Sequence, residues 1–244
     1  MYELNPEHNI DDIIAEIDTR GYCVIPSVIT PAEADTARAA LDELLAAERT
    51  PEADRTRSQR VWRLATKNPL FLDLMCHPLI VALWQRYLGN DVICSTWTAN
   101  TILPGCDAVG WHADFPYWSM AAPWPEGRLA TQTIWMLDDF TDENGATGVE
   151  PYSHKMGRSP GPADTHETAQ IATATRGSVL VAHGAFWHTA RPNRTAQPRS
   201  ALLGMYMRPC FITQEDMRSQ IAEIDSPSPI ARQLLCENQY QSKK

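Results

Sequence analysis

The pattern of apolar residues changes character after Gly89, and this change limits the possible folds more than any other feature. Before it, apolar side chains recur at helical spacing. After it, runs rich in Val, Ile, Thr and Trp alternate with segments containing Gly, Pro, Asn and Asp; these runs are 91–104, 131–137, 178–183 and 201–207. Helices followed by strands favour an antiparallel sheet with helices packed outside it over a parallel α/β fold. We therefore expect an α+β protein with a mainly β core.

Helix-capping signals place the first helices. Asn9 can cap a helix with a stripe of isoleucines, and Gly21 can end it. Thr30 and Glu33 form a capping box around Pro31, which predicts the start of a second helix. A short strand is predicted between the two, at 22–26. Two further helices are predicted to cover one face of the sheet, at 69–76 and 78–88.

The segment 49–60 is charged and polar and contains a proline, which predicts a surface loop. A solvated connection is the simpler interpretation of this loop, and a substrate lid is the alternative. The 244 residues suit one large domain. We expect helical support in 1–90, the β core in 91–210 and a helical C-terminal segment in 211–244.

Charge and cysteine usage exclude several classes of protein. The net charge is -9 and basic residues are not clustered, which argues against nucleic-acid binding. The chain starts without a basic or apolar leader and has no run near the ~18 apolar residues that span a bilayer, so a cytoplasmic protein without a membrane anchor is expected. The six cysteines lack CxxC spacing, and neither a zinc ribbon nor a disulfide framework is predicted.

A His-x-Asp tripeptide, His112 to Asp114, is the first candidate for chemistry. At the frayed end of a strand these two residues can turn an imidazole and a carboxylate toward one point. The tripeptide alone is a weak signal, because either residue could serve a turn or a surface ion pair. A non-haem iron site needs a second imidazole on the same face of the metal. The candidates for it are His154, His166, His183 and His188.

The choice of the second imidazole depends on Arg199. His183 and His188 are five residues apart, so in a regular strand they point to opposite faces and only one can bind the metal. Residues 186–200 read as strand, turn and strand, which folds Arg199 back beside His188. A guanidinium is the natural bidentate partner of a carboxylate, as a dicarboxylic keto acid bound to the metal would require. The sequence therefore predicts a site of His112, Asp114, His188 and Arg199.

Several pieces of sequence in this order resemble the phytanoyl-CoA dioxygenase family of Fe(II)- and 2-oxoglutarate-dependent oxygenases. The resemblance covers most of the chain and departs from the usual pattern at Tyr152, where members carry glycine. The pieces are residues 21–26 (GYCVIP), 30–34 (TPAEA), 111–114 (WHAD), 135–145 (WMLDDFTDENG), 151–154 (PYSH) and 187–199, from Trp187-His188 through Asn193 to Arg199. Each piece alone is unspecific, and together they are specific.

The resemblance implies a cupin-like double-stranded β-helix, or jelly roll, with N-terminal and flanking helices on one sheet. It also implies that His112, Asp114 and His188 bind Fe(II) and that Arg199 binds the distal carboxylate of 2-oxoglutarate. By position, five further residues would line the cosubstrate: Trp135, Gln132, Thr133, Asn100 and Thr101.

The implied reaction uses Fe(II), 2-oxoglutarate and O2 to hydroxylate an unactivated C–H bond of a small molecule, with succinate and CO2 as co-products. No catalytic residue beyond the metal ligands is predicted. Desaturation, cyclisation or epimerisation would begin with the same hydrogen abstraction. Halogenation is disfavoured, because related halogenases lack the carboxylate that Asp114 supplies. Alternatives from other classes are a non-catalytic metal-binding jelly roll and a cupin-type enzyme that uses iron without 2-oxoglutarate; Arg199 argues against both.

An aromatic cluster after the His-x-Asp tripeptide is the candidate for binding the substrate. It consists of Phe115, Tyr117, Trp118 and Trp124. If these side chains wall a pocket above the iron, they favour an apolar or ring-bearing metabolite, and the segment 115–128 could act as a lid. The equally weighted alternative is a small satellite core under a long loop. No concentrated basic patch supports an acyl-CoA substrate.

Overall fold

The computed structural model describes residues 9–239, and its helices fall mainly in the N-terminal third of the chain. Residues 1–8 of the predicted helical support and residues 240–244 of the predicted helical C-terminal segment lie outside the described residues. The α-helices are α1 Ile10–Arg20, α2 Pro31–Ala47, α3 Pro51–Thr56, α4 Leu64–Lys67, α5 Pro69–Met75, α6 Pro78–Leu88 and α7 Pro229–Leu234. Within the described residues, no helix combines the length and apolar character needed to cross a membrane.

The strands form two antiparallel sheets. They are β1 Tyr22–Ile25, β2 Ser58–Val61, β3 Ile93–Ile102, β4 Ala130–Met136, β5 Thr147–Glu150, β6 Gln170–Ile171, β7 Val179–His183, β8 Trp187–Ala190 and β9 Arg199–Met207. The large sheet has the order β1-β7-β4-β9-β3-β2, and the small sheet has the order β6-β5-β8. This arrangement confirms the α+β jelly roll with a mainly β core.

The first two helices begin and end where the capping signals predict. The Asn9 side chain accepts hydrogen bonds from two backbone N–H groups of α1, and Gly21 ends the helix with a φ of 97°. Thr30 and Glu33 form the predicted reciprocal capping box, with Pro31 in the first helical turn of α2. The helix predictions at 69–76 and 78–88 are also confirmed, within one residue, by α5 and α6.

Each face of the large sheet packs against a different layer. On one face, Trp84 of α6 donates a hydrogen bond of 2.9 Å to the Thr133 hydroxyl of β4. On the other face, Ile134 of β4 packs with Val149 of the small sheet in a separate apolar cluster. Because successive strand residues alternate between faces, the helices cover one side of β4 and the second sheet covers the other.

The segment predicted as a loop at 49–60 is instead helix α3 followed by edge strand β2. The Thr50 hydroxyl accepts a hydrogen bond of 3.2 Å from Ala53 N, and Pro51 occupies the first helical turn. Strand β2 then pairs with β3, with Arg60 opposite Asn100. The loop prediction was wrong because a polar composition also suits a surface helix and an edge strand that faces an open cavity.

The C-terminal segment is only partly helical. After β9, the chain forms a short 3-10 helix, Arg218–Glu223, and then the six-residue helix α7. The buried Leu234 of α7 joins the core between the helices and the large sheet.

Replacement of Thr30 by alanine tests the capping box of α2. The substitution removes the hydroxyl that accepts the Glu33 N–H, so we expect the free energy of unfolding to fall by about 1 kcal/mol. Thr36→Ala is the matched control, since Thr36 is exposed in the second turn of the same helix and, among residues 9–239, its hydroxyl bonds only to Ala32 O. Urea denaturation of the two variants measures the difference. Equal stabilities would contradict a contribution from the capping box.

Candidate metal centre

A pair of backbone hydrogen bonds places His112 beside His188. His112 N donates to His188 O at 3.1 Å, and His188 N donates to His112 O at 2.9 Å. This reciprocal pairing is that of directly opposed residues on antiparallel strands, whose side chains share one face. The two imidazole rings accordingly lie with their centroids 4.4 Å apart.

Asp114 completes the group. Its backbone N–H donates to Gly184 O at 3.2 Å, which fixes the chain two residues beyond His112. The Asp114 carboxylate oxygens lie 4.0 Å from His112 Nε2 and 3.6 Å from His188 Nε2. One ligand atom from each of the three residues lies within 4.8 Å of the others, and among residues 9–239 no second group of three His, Cys, Asp or Glu meets this condition. Two imidazoles and a carboxylate in this arrangement can cap one face of a divalent iron.

Hydrogen bonds at Nδ1 of His112 and His188 direct the Nε2 atom of each ring toward the candidate metal centre. His112 Nδ1 lies 2.9 Å from Gly110 O, and His188 Nδ1 lies 3.3 Å from Phe186 O. A carbonyl oxygen only accepts, so each Nδ1 is the donor, and Nε2, on the side of the Asp114 carboxylate, is the nitrogen able to bind a metal. The donor set therefore fits a metal ion.

The surroundings of the Asp114 carboxylate and of the buried His188 imidazole also favour the binding of a cation. Gln132 Nε2 donates to Asp114 Oδ2 at 2.7 Å, which orients the carboxylate. Burial lowers the pKa of His188 to about 4, against the opposing effect of the Asp114 charge. At neutral pH the imidazole of His188 is thus neutral, which is the form that binds metals.

A cavity of about 460 Å³ opens over these three residues and extends to Arg199. Arg199 is 3% exposed, and its guanidinium lies 4.4 Å from the centroid of the Phe140 ring. One terminal nitrogen donates to Gly145 O, whereas the buried Nε donates to no residue that the structure describes between 9 and 239. Burial lowers the pKa of Arg199 to about 10, so the group stays charged at neutral pH. A buried, charged guanidinium with a free donor fits a carboxylate ligand.

Of the five further residues predicted to line the cosubstrate, the structure brings two to the cavity. Gln132 and Asn100 line it. The Thr133 hydroxyl instead accepts a hydrogen bond from the indole of Trp84 in α6. The Thr101 hydroxyl lies 2.7 Å from the Ser200 hydroxyl of β9. The Trp135 ring packs edge-on against the imidazole of His77 in the helical layer. The structure does not bring Thr101, Thr133 and Trp135 to the cavity, because each lies one residue out of register and faces the helices.

The aromatic cluster does not wall this cavity. Tyr117 and Trp124 are buried against each other, with ring centroids 5.3 Å apart, and line a second cavity that contains His183. Phe115 packs on the main core, and Trp118 is 57% exposed. The prediction that these four residues form the substrate pocket is thus not supported, and the satellite-core interpretation describes Tyr117 and Trp124.

His183 is directed away from the candidate metal centre. Its Nδ1 accepts a hydrogen bond of 3.0 Å from Ala185 N, and its ring lies 5.4 Å from that of His154. Burial lowers the pKa of His183 to about 4. His166 is also placed elsewhere, since it stacks on Trp111 with centroids 4.2 Å apart. The three histidines His154, His166 and His183 therefore lie outside the group of three.

Much of the cavity wall comes from residues that the sequence analysis did not single out. The polar ones are Glu52, Thr56, Ser58, Arg60, Thr96, Thr98, Thr147 and Gln214. The apolar ones are Val109, Ile134, Ala190, Leu203 and Met205. The alternation of Thr96, Thr98 and Asn100 along a strand is the signal that could have found part of this wall.

Comparison with known proteins relates this geometry to a family. Residues 17–201 match the family described as phytanoyl-CoA dioxygenase (PhyH). The chain is 29% identical over 233 residues to a protein named dioxygenase af480 from Aspergillus fumigatus, covering 90% of this chain and 75% of that protein.

Two solved structures share the fold at low sequence identity. The epimerase SnoN, in complex with Fe3+, alpha ketoglutarate and nogalamycin RO, has a TM-score of 0.67 at 20% identity, covering 82% of this chain and 84% of SnoN. HygX from Streptomyces hygroscopicus, with nickel and 2-oxoglutarate bound, has a TM-score of 0.67 at 17% identity, covering 84% of this chain and 89% of HygX. Because the family match spans well over half of the sequence, the chain belongs to the phytanoyl-CoA dioxygenase family of Fe(II)- and 2-oxoglutarate-dependent oxygenases.

Proposed function

We propose that this Fe(II)- and 2-oxoglutarate-dependent dioxygenase hydroxylates an unactivated C–H bond of a small organic substrate, with succinate and CO2 as co-products. The observation that carries the proposal is the convergence of His112, Asp114, His188 and the buried Arg199 on one cavity. A protein that only stored a metal would gain nothing from a guanidinium buried at the cost of its own hydration.

Each of these side chains has a distinct role in the proposed site. The Nε2 atoms of His112 and His188 and the carboxylate of Asp114 would hold Fe(II). Arg199, whose buried Nε is free to donate, would pair with the distal carboxylate of 2-oxoglutarate. Gln132 keeps the Asp114 carboxylate oriented through their 2.7 Å hydrogen bond.

Bound iron and 2-oxoglutarate supply the oxidation of a C–H bond by O2, coupled to decarboxylation of the cosubstrate. The protein supplies position and exclusion of water. The substrate would lie between the metal-binding residues and the strand carrying Asn100, in the open part of the cavity. The carboxylate of Asp114 would take the metal position that a halide needs, so hydroxylation is favoured over halogenation.

The cavity wall revises the expected substrate. Because the aromatic cluster lies elsewhere, it does not support the predicted apolar or ring-bearing substrate. The wall combines apolar side chains, such as Leu203 and Met205, with a polar strip that includes Thr98 and Asn100. A small molecule with an apolar body and at least one polar group fits this wall best.

Anaerobic addition of Fe(II) and 2-oxoglutarate tests the cosubstrate assignment. We expect a weak visible charge-transfer band from the chelate in the wild-type protein. Replacement of Arg199 by methionine should raise the Kd of 2-oxoglutarate by about 10- to 100-fold, because a charge-assisted buried contact is lost. Arg194→Met is the matched control, since Arg194 is exposed in the turn before β9. No band from folded, iron-loaded protein, or an unchanged Kd in the Arg199 variant, would refute the assignment.

Alanine substitutions test the metal ligands. His112→Ala or His188→Ala each removes one imidazole from the group of three and should abolish retention of iron after desalting. His183→Ala removes a buried imidazole outside that group and should leave retention largely intact. Iron content is measured colorimetrically, with circular dichroism to confirm folding. Release of iron by His183→Ala alone would show that the wrong second imidazole has been assigned.

A further inference from the structure

Arg60 lies on the wall of the same cavity as the candidate metal centre. It belongs to edge strand β2, where it pairs with Asn100 of β3, and both residues line the cavity. Ser58 lies two residues earlier on the same face and donates a hydrogen bond of 3.1 Å to the Asn100 amide oxygen. This contact orients the amide of Asn100, the residue opposite Arg60 on the neighbouring strand.

The Arg60 guanidinium has no acidic partner of its own. Within residues 9–239, it donates no hydrogen bond and forms no ion pair; it lies 5.3 Å from the centroid of the Trp62 ring. The nearby carboxylates Glu52 and Glu215 form their direct contacts with other groups, although the charge of Glu215 attracts Arg60 from a distance. Glu52 binds Arg55 at 2.9 Å, and the buried Glu215 accepts 2.8 and 3.0 Å hydrogen bonds from two backbone N–H groups.

The charges expected in the loaded site leave Glu215 as the carboxylate that still attracts Arg60, without a direct contact between them. Asp114 is the acidic residue of the metal centre, and its charge interacts with that of Arg60. Once Asp114 and dianionic 2-oxoglutarate are combined with divalent iron and the cation of Arg199, these charges cancel. Arg60 then remains as an exposed positive group at the cavity wall, open to an anionic group of a bound molecule.

The Arg60 and Arg199 side chains start from different parts of the cavity wall. The strand order places β3 between β2 and β9, so the two arginines lie two strand spacings apart, which is about 10 Å. Ile102, not Asn100, lies opposite Arg199 in the sheet register. Arg60 and Arg199 are therefore separated both across and along the sheet.

We propose that Arg60 determines specificity by binding a carboxylate group of the substrate. This inference rests on the proposed function, because it takes Arg199 as the partner of 2-oxoglutarate. The carboxylate would anchor the substrate at the edge strand, and the carbon skeleton would extend past Thr98 toward the metal ligands. The substrate class is thus a small carboxylic acid with an apolar body.

Matched acid and amide probes test this assignment without knowledge of the native substrate. The probes are 3-phenylpropionate with 3-phenylpropionamide and cyclohexanecarboxylate with cyclohexanecarboxamide. The protein is loaded with redox-inert Mn(II) and saturating 2-oxoglutarate, and enhanced relaxation of the probe protons reports binding near the metal. We expect the wild-type protein to bind each carboxylate at least about 10-fold more tightly than its amide, as for a charge-assisted hydrogen bond.

The variants Arg60→Gln and Arg57→Gln separate the role of the cavity arginine from a general charge effect. In Arg60→Gln, the preference for carboxylates should fall close to one, with the Kd of 2-oxoglutarate unchanged. In Arg57→Gln, which removes an exposed arginine outside the cavity lining, the preference should remain. The proposal is overturned if the wild-type protein binds the acids no better than the amides, or if Arg60→Gln keeps the preference.

The outcomes also separate this inference from the proposed function. A higher Kd of 2-oxoglutarate in Arg60→Gln would overturn the inference by assigning Arg60 to the cosubstrate. A wild-type protein that shows the Fe(II)–2-oxoglutarate absorption band but no preference for acids would retain the proposed function and lose only the role of Arg60. Absence of the band itself would instead refute the proposed function.

Discussion

The reciprocal backbone hydrogen bonds between His112 and His188 are the constraint on which the site depends. They join a segment outside the regular strands to β8, and they bring together two residues that are far apart in sequence. Directly opposed residues share a face, so the pairing aligns both imidazoles before any metal is bound. Asp114 follows two residues later and reaches the same point. The site is in this way part of the folding of the small sheet, and its geometry is preorganised.

Successive residues of β4 face opposite sides of the large sheet, so that one face lines the cavity and the other packs against the helices. Gln132 faces the cavity and orients Asp114, whereas Thr133, the next residue, bonds to a helix. The position of β4 and the two caps of the first helices could be predicted because periodicity and capping act over a few neighbouring residues. The face to which Trp135 points could not be predicted, because the register of β4 depends on its pairing with β7 and β9. A slip of one residue moves every side chain of the strand to the opposite face.

Segments without a clear period were the least predictable. Residues 49–60 fold into α3 and β2 because Thr50 and Pro51 start a short helix and β3 offers an unpaired edge. Tyr117 and Trp124 pack beside His183, since buried aromatic rings gain more from a closed cluster than from an open polar cavity. In contrast, the sequence indicated the grouping of His112, Asp114 and His188 because Arg199 follows the last of them after a turn.

An anaerobic crystal structure with Fe(II) and 2-oxoglutarate, phased with data at the iron absorption edge, tests the central claim most directly. The account predicts one anomalous peak bounded by Nε2 of His112, Nε2 of His188 and the carboxylate of Asp114. It also predicts electron density for 2-oxoglutarate that reaches the Arg199 guanidinium. An iron peak beside His154 and His183, or a cosubstrate carboxylate away from Arg199, would contradict the assignment of the site.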